Sequence, residues 1–239
     1  MKKGIFYAVS TGPGNAEMIT LQAIEILKKC HAIFFPESEK NTLALDSISK
    51  VAGLSLSQKE IFPCGFSMTR DKKQSAAEYE KVADACEKFL REEKSVAMLS
   101  IGDVSLYSTA ARTANIIRRD GFKVSFVAGV NSFSAAACAS ALALCGQDEK
   151  LSIVPGDAFY IEGKLKSALQ DNGTKVLMKM GRHLKEIISL LQELNLIQKS
   201  TLVQKAGLEE EKIFDTEKIL TMSEKDFENS YLSVLIVKG

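Results

Sequence analysis

The sequence predicts an α/β protein with a largely parallel sheet covered by helices. Short apolar runs, such as residues 4–10, 32–36 and 95–101, have the length of buried strands. Longer segments, such as residues 74–93, place apolar side chains three and four positions apart, as an amphipathic helix does. Because strands and helices alternate along the chain, we expect a parallel sheet with both faces covered.

The first half of the chain shows this alternation most clearly. We predict strands at 4–10, 32–36, 95–101 and 123–129, and helices at 16–29, 74–93 and 106–119. Helix 74–93 is the best defined, because one apolar stripe contains Tyr79, Val82, Ala83, Cys86, Phe89 and Leu90. Residues 62–67 look like a loop between a strand and a helix.

The second half has a different composition. Residues 131–144 are rich in alanine and serine, which predicts a helix that packs closely against its neighbour. We predict a further helix at 183–194, and strands at 150–156, 174–180, 201–207, 212–220 and 231–239. No helix is evident between the last two strands, so a mixed sheet is expected. We therefore predict two α/β domains, residues 1–127 with a mainly parallel sheet and residues 128–239 with a mixed sheet.

The composition of the 239 residues limits the possible functions. Lys and Arg total 31 against 30 Asp and Glu, and this balance gives no support for binding to nucleic acid or a membrane surface. The five cysteines form no CxxC pair and the two histidines are far apart, so we expect reduced cysteines and no metal site. Cys138 is expected to pack as a small apolar residue. The N-terminal apolar stretch is too short to span a membrane and lacks a cleavage pattern, which favours a cytoplasmic protein.

Four loops follow predicted strands, where open α/β sheets bind ligands. They are Thr-Gly-Pro-Gly at 11–14, Gly-Asp-Val at 102–104, Gly-Val-Asn-Ser at 129–132 and Met-Lys-Met-Gly at 178–181. The first resembles the start of a GxGxxG dinucleotide fingerprint. However, Glu17 occupies the position of the third glycine, which disfavours an NAD site. A tight strand-to-helix turn explains the same residues without a ligand.

Two of these loops carry side chains that could recognise a ligand. Asp103 could accept hydrogen bonds from nearby helix N-terminal amides, or it could bind an ammonium group of a ligand. Met178 and Met180 could fill the core, or their thioethers could contact a flat aromatic ring such as adenine. The residues themselves leave both alternatives open.

Taken in this order, the loops resemble those of the S-adenosylmethionine-dependent tetrapyrrole methylases. That family has a Gly-Pro-Gly loop after the first strand, a Gly-Asp-Pro loop in mid-chain, and a Pro-Gly-Ile-Ser/Thr-Ser segment before a helix of small residues. The resemblance covers nearly the whole chain and implies two α/β domains with a ligand cleft between them. The segments SMTRDKK, GDVSLYST, NSFSAAA, VLMKMGR and AGLEEEKI are most similar to the branch that methylates C20 of precorrin-2, or its cobalt form, in cobalamin biosynthesis.

The resemblance implies that S-adenosylmethionine binds in this cleft and leaves as S-adenosylhomocysteine. Asp103 would hold the amino group of its methionine moiety. The residues implied to bind the donor are Pro13, Ile101, Gly102, Asp103, Leu106, Asn131, Ser132, Met180 and Gly207.

The substrate implied by the resemblance carries several carboxylates and should meet basic side chains. The candidates are Arg70, Lys72, Lys73, Arg112 and Arg182, together with Tyr107, although each could instead be an ordinary surface or core residue. Any cobalt would belong to the substrate. A homodimer is expected, and no catalytic base can be identified.

The chain departs from the family pattern at four positions. Asn15 replaces a common aspartate, Val104 and Ala128 replace prolines, and Asn131 stands where Ser or Thr is common. Because Val104 has a main-chain N–H that proline lacks, the sequence predicts a looser loop there. The alternative functions are a methylase acting on C2 and C7 of uroporphyrinogen III, diphthine synthase, an NAD-dependent oxidoreductase and a nonenzymatic nucleotide-binding module.

Overall fold

A computed structural model describes residues 4–37, 42–66, 72–228 and 230–239. The chain divides into two compact units, Met1–Asn131 and Ser132–Gly239, which we call the N-terminal and C-terminal units. The division follows Asn131, whereas the predicted domain boundary follows residue 127. Each unit is built around a five-stranded sheet.

The N-terminal unit contains a parallel sheet. Its elements are β1 (Ile5–Ser10), α1 (Leu21–Lys29), β2 (Ala32–Glu37), α2 (Leu43–Ser49), β3 (Glu60–Gly65), α3 (Lys72–Arg91), β4 (Val96–Ser100), α4 (Thr109–Arg119) and β5 (Lys123–Val127). The strand order is β3-β2-β4-β1-β5, and every pair is parallel. The mainly parallel sheet predicted for this part of the chain is therefore present. Since all strands point the same way, the loops after β1, β4 and β5 lie at one edge.

Apolar side chains cover both faces of this sheet. Phe6, Phe34 and Met98 belong to one buried cluster, which includes side chains from α3 and α4. Val9 and Leu99 belong to a second cluster, which includes side chains from α1 and α2. The two clusters take side chains of opposite orientation from the same strands, as the two-residue repeat of a strand requires. The covering helices thereby hold the strand ends in fixed positions.

The C-terminal unit contains a mixed sheet. Its elements are α5 (Ser132–Ala139), β6 (Leu151–Pro155), α6 (Gly156–Ile161), α7 (Leu165–Gln170), β7 (Thr174–Met178), α8 (Leu184–Glu193), β8 (Ser200–Gln204), β9 (Lys212–Phe214), α9 (Thr216–Leu220), α10 (Glu224–Glu228) and β10 (Ser233–Val237). The strand order is β6-β7-β10-β8-β9. Strands β6 and β7 are parallel, and β10 is antiparallel to both of its neighbours. The mixed sheet is as predicted.

Two boundaries in this unit differ from the prediction. Residues 212–220, predicted as one strand, form β9 followed by α9, because the Asp215 carboxylate caps the helix by accepting from the N–H of Lys218 at 3.1 Å. The helix predicted over 131–144 ends at Ala139, and Ala141 has a left-handed backbone with φ of 52°. A left-handed residue cannot continue a right-handed helix.

Several elements were not predicted. Helices α2, α6, α7 and α10 are short, and β3 contains Pro63, which argues against a central strand. Strand β3 tolerates the proline because it lies at the edge of its sheet.

The structure also shows the state of the cysteines, the character of the helices and the grouping of possible metal ligands. All five cysteines are free thiols, but Cys138 is exposed, so the prediction that it packs as an apolar residue is wrong. Within the described ranges, no helix is long and apolar enough to cross a membrane. The same residues contain no group of three or more His, Cys, Asp or Glu side chains placed to hold a metal ion.

Candidate active site

The loops after β1 and β4 are joined through two glycines. The N–H of Gly102 donates to the carbonyl oxygen of Gly12 at 2.7 Å, which forms an isolated antiparallel bridge. Both residues have positive φ, 69° at Gly12 and 73° at Gly102, a conformation that glycine adopts without strain. A Cβ atom at position 12 would lie 2.8 Å from the carbonyl oxygen of Met18. The bridge therefore requires glycine at position 12 for both conformation and space.

The side chain of Ser10 ties the loops after β4 and β5 to the end of β1. The N–H of Val104 donates to Ser10 Oγ at 2.8 Å, and this hydroxyl donates to the carbonyl oxygen of Val127 at 2.6 Å. Gly129 packs so closely that a Cβ atom there would lie 2.3 Å from Ser10 Cβ. Because the N–H of Val104 is bonded and its side chain is buried, the prediction of a looser loop at this position is wrong.

Asp103 connects the same loops through its carboxylate. Its Oδ1 accepts from the N–H of Ser105 at 2.9 Å and from the Ser105 hydroxyl, and its Oδ2 accepts from the N–H of Gly129 at 2.7 Å. The residue is only 8% exposed. Asp103 therefore accepts main-chain hydrogen bonds, but from the loop residues Ser105 and Gly129 and not from the N-terminal amides of a helix, as the first interpretation expected.

The electrostatic environment keeps this carboxylate ionised. Burial alone would raise the pKa of Asp103, but the hydrogen bonds from Ser105 and Gly129, together with the nearby Ser10 hydroxyl, outweigh burial. The pKa of Asp103 is therefore below its usual value. A carboxylate has about four acceptor positions, so the three donors leave capacity for one more partner.

Most of the predicted donor-binding residues lie in these three loops. Pro13 is buried, and the side chains of Ile101, Leu106 and Asn131 are partly exposed. The N-terminal unit therefore brings together the loop residues Pro13, Ile101, Gly102, Asp103, Leu106 and Asn131 at the carboxyl edge of its sheet. Ser132 is the first residue of α5 and belongs to the C-terminal unit.

Met180 and Gly207 follow β7 and β8, which flank β10 on opposite sides. Strands β7 and β8 point the same way, because each is antiparallel to β10, so their ends are about 10 Å apart. The hydroxyl of Ser230 donates to the carbonyl oxygen of Gly181 at 3.1 Å, and the N–H of Lys205 donates to that of Leu232 at 3.0 Å. The segment before β10 therefore forms hydrogen bonds with both the loop after β7 and the loop after β8.

The side chain of Met180 belongs to the core. It is 2% exposed, and a Cβ atom at Gly156 would lie 2.9 Å from Met180 Cγ. Gly207 has φ of 80°, and its N–H donates to Glu211 Oε2 at 2.7 Å. Because the 2% exposure is that of the whole residue, Met180 offers almost no surface to a ligand, whereas Gly207 is partly exposed.

The turn after Met180 is held by a pair that the sequence did not reveal. His183 Nδ1 hydrogen-bonds to Asp157 Oδ1, and the His183 ring lies 5.0 Å from that of Tyr160. The N–H of Asp157 also donates to the carbonyl oxygen of Lys179 at 3.0 Å. These contacts fix the loop after β7 against α6, which makes His183 and Asp157 positioning residues for this loop.

Arg112 lies on an aromatic surface of the N-terminal unit. Its guanidinium carbon is 5.6 Å from the centre of the Tyr79 ring, and the ring of Phe66 is 4.7 Å from that of Tyr79. Arg112 is exposed, whereas the two rings are partly buried. The sequence indicated Tyr79 only as part of a helical stripe and did not single out Phe66, because the contacts among Phe66, Tyr79 and Arg112 depend on tertiary packing.

The other predicted substrate residues belong to different segments of the chain. Arg70 and the side chain of Lys72 lie outside the described residues, and Lys73 is exposed in the first turn of α3. Tyr107 is 43% exposed and has φ of 51°, an uncommon conformation for a bulky residue. Arg182 is exposed in the turn after β7.

The family assignment rests on the match over most of the chain. Residues 6–219 match the family described as Tetrapyrrole (Corrin/Porphyrin) Methylases. This chain belongs to the tetrapyrrole methylase family. The resemblance of the four loops is therefore confirmed at the level of the family.

Two curated proteins are similar to this tetrapyrrole methylase over most of their length. The chain is 33% identical over 189 residues to a probable cobalt-precorrin-2 C(20)-methyltransferase of Methanocaldococcus jannaschii, covering 78% of this chain and 76% of that protein. It is 30% identical over 194 residues to the cobalt-precorrin-2 C(20)-methyltransferase of Salmonella typhimurium, covering 80% of this chain and 78% of that protein.

Solved structures show the same fold. A cobalt precorrin-4 methyltransferase aligns with a TM-score of 0.71 at 19% identity, covering 98% of this chain and 94% of that one. A uroporphyrin-III C-methyl transferase from Thermus thermophilus, solved with S-adenyl homocysteine, aligns with a TM-score of 0.68 at 22% identity, covering 98% and 97% of the two chains. The predicted tetrapyrrole methylase-like α/β fold is confirmed.

Proposed function

We propose that this tetrapyrrole methylase transfers a methyl group from S-adenosylmethionine to C20 of precorrin-2, or of its cobalt form, in cobalamin biosynthesis. The observation that carries this function is the similarity to proteins named for that reaction, at 33% and 30% identity over most of both chains. The organised loops around Asp103 add a physical reason, because they offer groups that suit the methyl donor.

The loops of the N-terminal unit fit the methionine end of S-adenosylmethionine. Asp103 is an ionised carboxylate with acceptor capacity beyond its three intramolecular donors, and a ligand ammonium group would use that capacity. Gly102 has no side chain to obstruct an approach to the main chain, and Ile101 and Leu106 offer partly exposed apolar atoms. Met180 and Gly207 would border the adenine, and Pro13, Asn131 and Ser132 would complete the site.

The protein's main contribution to the reaction is placement. The bound donor supplies a methyl group already activated by its sulfonium sulfur. Asp103 would fix the amino end of the donor. The bridge between Gly12 and Gly102 would hold the loops after β1 and β4 in place. Holding the reactants in line in this way accelerates a transfer strongly, because translational and rotational freedom is lost before the barrier is reached.

The tetrapyrrole would be held by basic side chains. Arg112 is the best supported of them, because the Tyr79 ring holds its guanidinium while leaving it exposed for a carboxylate. Arg70, Lys72, Lys73, Arg182 and Tyr107 complete the proposed substrate site. The two domains 1–127 and 128–239, the homodimer and the cytoplasmic location are parts of the same proposal.

Methylation of defined tetrapyrroles tests this function. The purified chain is incubated with methyl-¹³C S-adenosylmethionine and precorrin-2, cobalt-precorrin-2 or uroporphyrinogen III, and NMR locates the new methyl carbon. We expect labelling at C20. Labelling of C2 or C7 of uroporphyrinogen III would instead support the other methylase, and donor binding without turnover of any substrate would support a nucleotide-binding module. Stabilisation by NAD rather than by S-adenosylmethionine would support the oxidoreductase.

A further inference from the structure

A cavity lies at the opposite edge of the C-terminal sheet from Met180. It has a volume of about 360 Å³ and is formed by the loop before β7, the segment after α8 and the end of β10. Lys175, near the start of β7, lines this cavity, whereas Met180 follows the end of the same strand. The extended chain from Lys175 to Met178 alone spans about 10 Å. The cavity is therefore distinct from the loops assigned to the methyl donor.

The ammonium group of Lys175 has an unusual environment. Lys175 is only 4% exposed, and its ammonium group forms neither a hydrogen bond nor an ion pair with any described residue. It lies in the middle of three strands, opposite Val237 of β10 and Ser152 of β6. Burial lowers its pKa, because a desolvated ammonium is unfavourable. Such a group is stabilised by an anionic partner.

None of the charged groups that line the cavity, including the carboxylate of Gly239, forms an ion pair with Lys175. Asp171 attracts Lys175 from a distance, but its carboxylate is bonded to Lys150 and to the N–H of Asn172. Lys238 directs its ammonium to the carbonyl oxygens of Ala143 and Leu144, at 2.8 and 3.0 Å.

Lys199 is the other cation of the cavity that is available to a ligand. It is exposed, and its ammonium group has no hydrogen bond or ion pair among the described residues. Lys199 also lowers the pKa of Lys175, which indicates that the two positive charges influence each other. An anion placed between them would relieve both the repulsion and the desolvation.

We propose that this cavity binds a small phosphate-bearing anion through Lys175 and Lys199. Lysine ammonium groups are compact point charges that suit phosphate, and two of them can share its oxygens. The cavity exceeds the size of one phosphate group, so an organic phosphate monoester fits the same chemistry as inorganic phosphate. The apolar side chains of Leu169, Leu194 and Leu196, which also line the cavity, would contact the organic part.

Phosphate-dependent stability of the full chain tests this site. Thermal unfolding is measured at constant ionic strength and pH while chloride is replaced by phosphate, glycerol phosphate or acetate. We expect stabilisation by phosphate or its monoester and much less by acetate. Absence of stabilisation by both phosphates, or equal stabilisation by acetate, would overturn the proposal. A larger effect of glycerol phosphate than of phosphate would identify the monoester as the better ligand.

Variants locate the effect. Lys175→Met keeps the apolar stem, so we expect the variant to be more stable than the wild type without phosphate but to bind phosphate about tenfold or more weakly. Lys199→Met changes an exposed residue and should also weaken binding without affecting the fold. Lys123→Met, an exposed lysine in β5, is the control and should respond to phosphate as the wild type does. An unchanged phosphate response in Lys175→Met and Lys199→Met would overturn the assignment, whatever substrate the enzyme methylates.

Discussion

The main-chain N–H of Val104 donates a hydrogen bond of 2.8 Å to the hydroxyl oxygen of Ser10, on a different strand. The same hydroxyl donates to the carbonyl oxygen of Val127 at 2.6 Å. A single side chain at the end of β1 therefore holds the chain that leaves β4 and the chain that leaves β5. Val104 stands where the family has a proline, and its additional main-chain N–H is held by this hydrogen bond to Ser10.

Replacement of this hydroxyl should loosen all three loops. We expect Ser10→Ala to lower the free energy of unfolding by about 1–3 kcal/mol, because it leaves a buried N–H without its acceptor. Urea unfolding measures the loss, and calorimetry should show weaker donor binding. Ser189→Ala is the matched control, since that hydroxyl is exposed and bonds only within its own helix. Equal stability of the two variants would contradict the role given to Ser10.

Asp103 should contribute directly to donor affinity. We expect Asp103→Ala to weaken S-adenosylmethionine binding by about 1.5–3 kcal/mol, the range for a charge-assisted hydrogen bond. Isothermal titration calorimetry gives the dissociation constant, and the exposed Asp148 provides the control variant Asp148→Ala. An unchanged constant would remove Asp103 from the site.

The pH dependence of binding follows from the lowered pKa of Asp103. A carboxyl whose folded pKa is depressed is fully ionised above its ordinary value of 3.8 and loses its charge only as the pH falls through the lower folded value. We therefore expect this group to cause no change in donor affinity between about pH 5 and 8. Titrations across that range check this, and a midpoint that Asp103→Asn abolishes would contradict it.

Glu87 should destabilise the protein at neutral pH. Its side chain is 3% exposed, its Oε2 accepts from Arg91 at 2.6 Å, and its Oε1 has no hydrogen-bond partner among the described residues. Burial raises the pKa of Glu87, and Asp120 and Asp84 raise it further, against the lowering effect of Arg91. We expect Glu87→Gln to raise the free energy of unfolding at pH 7 by about 1 kcal/mol.

The difference in the free energy of unfolding between Glu87→Gln and the wild type should be smaller at acidic pH. A raised folded pKa means that the penalty of the charged form is present above that pKa and disappears as the pH falls below the unfolded value of 4.5. Urea unfolding at pH 7 and at about pH 4 compares the wild type with Glu87→Gln. Glu193→Gln, at an exposed position in α8, is the control. A glutamine variant less stable than the wild type at pH 7 would contradict this prediction.

Asp226, unlike Glu87, should stabilise the protein at neutral pH. It accepts from Lys212 Nζ at 2.8 Å, from Ser223 Oγ at 2.6 Å and from Ser223 N–H at 3.0 Å, and these bonds lower the pKa of Asp226 to about 2. Its stabilisation is complete above its ordinary pKa of 3.8 and is lost as the pH falls through about 2. We expect Asp226→Asn to cost about 1–2 kcal/mol at pH 7 and less near pH 2. Unfolding curves at both pH values check the difference, and an equal cost at both would contradict it.

Local patterns were sufficient for the fold class and for the position of the donor loops. Buried strands such as β1 and β4 are short apolar runs, and parallel strands bring their following loops to one edge, so Gly12, Gly102 and Asp103 could be placed together from the sequence. Strand β3 was missed because Pro63 is permitted only by its place at the sheet edge. Residues 212–220 were misassigned because Asp215 starts a helix directly after a strand of three residues.

The contacts that organise the site depend on tertiary structure. The role of Ser10 follows from its meeting Val104 and Gly129, which are about 90 and 120 residues away in the chain. Tyr79 and Arg112 similarly meet through the packing of α3 on α4. Lys175 lies in an apolar strand, where only the observed lack of a partner distinguishes it from an ordinary snorkelling lysine.

The central position of β10 determines when the C-terminal unit can be completed as the polypeptide leaves the ribosome. The N-terminal sheet has all five strands once residue 127 has emerged. The C-terminal sheet lacks its middle until residues 233–237 follow, and before then β7 and β8 have no shared neighbour to pair with. The nascent chain therefore carries a finished first half beside exposed strand edges, and these edges are the surfaces that chaperones would have to protect.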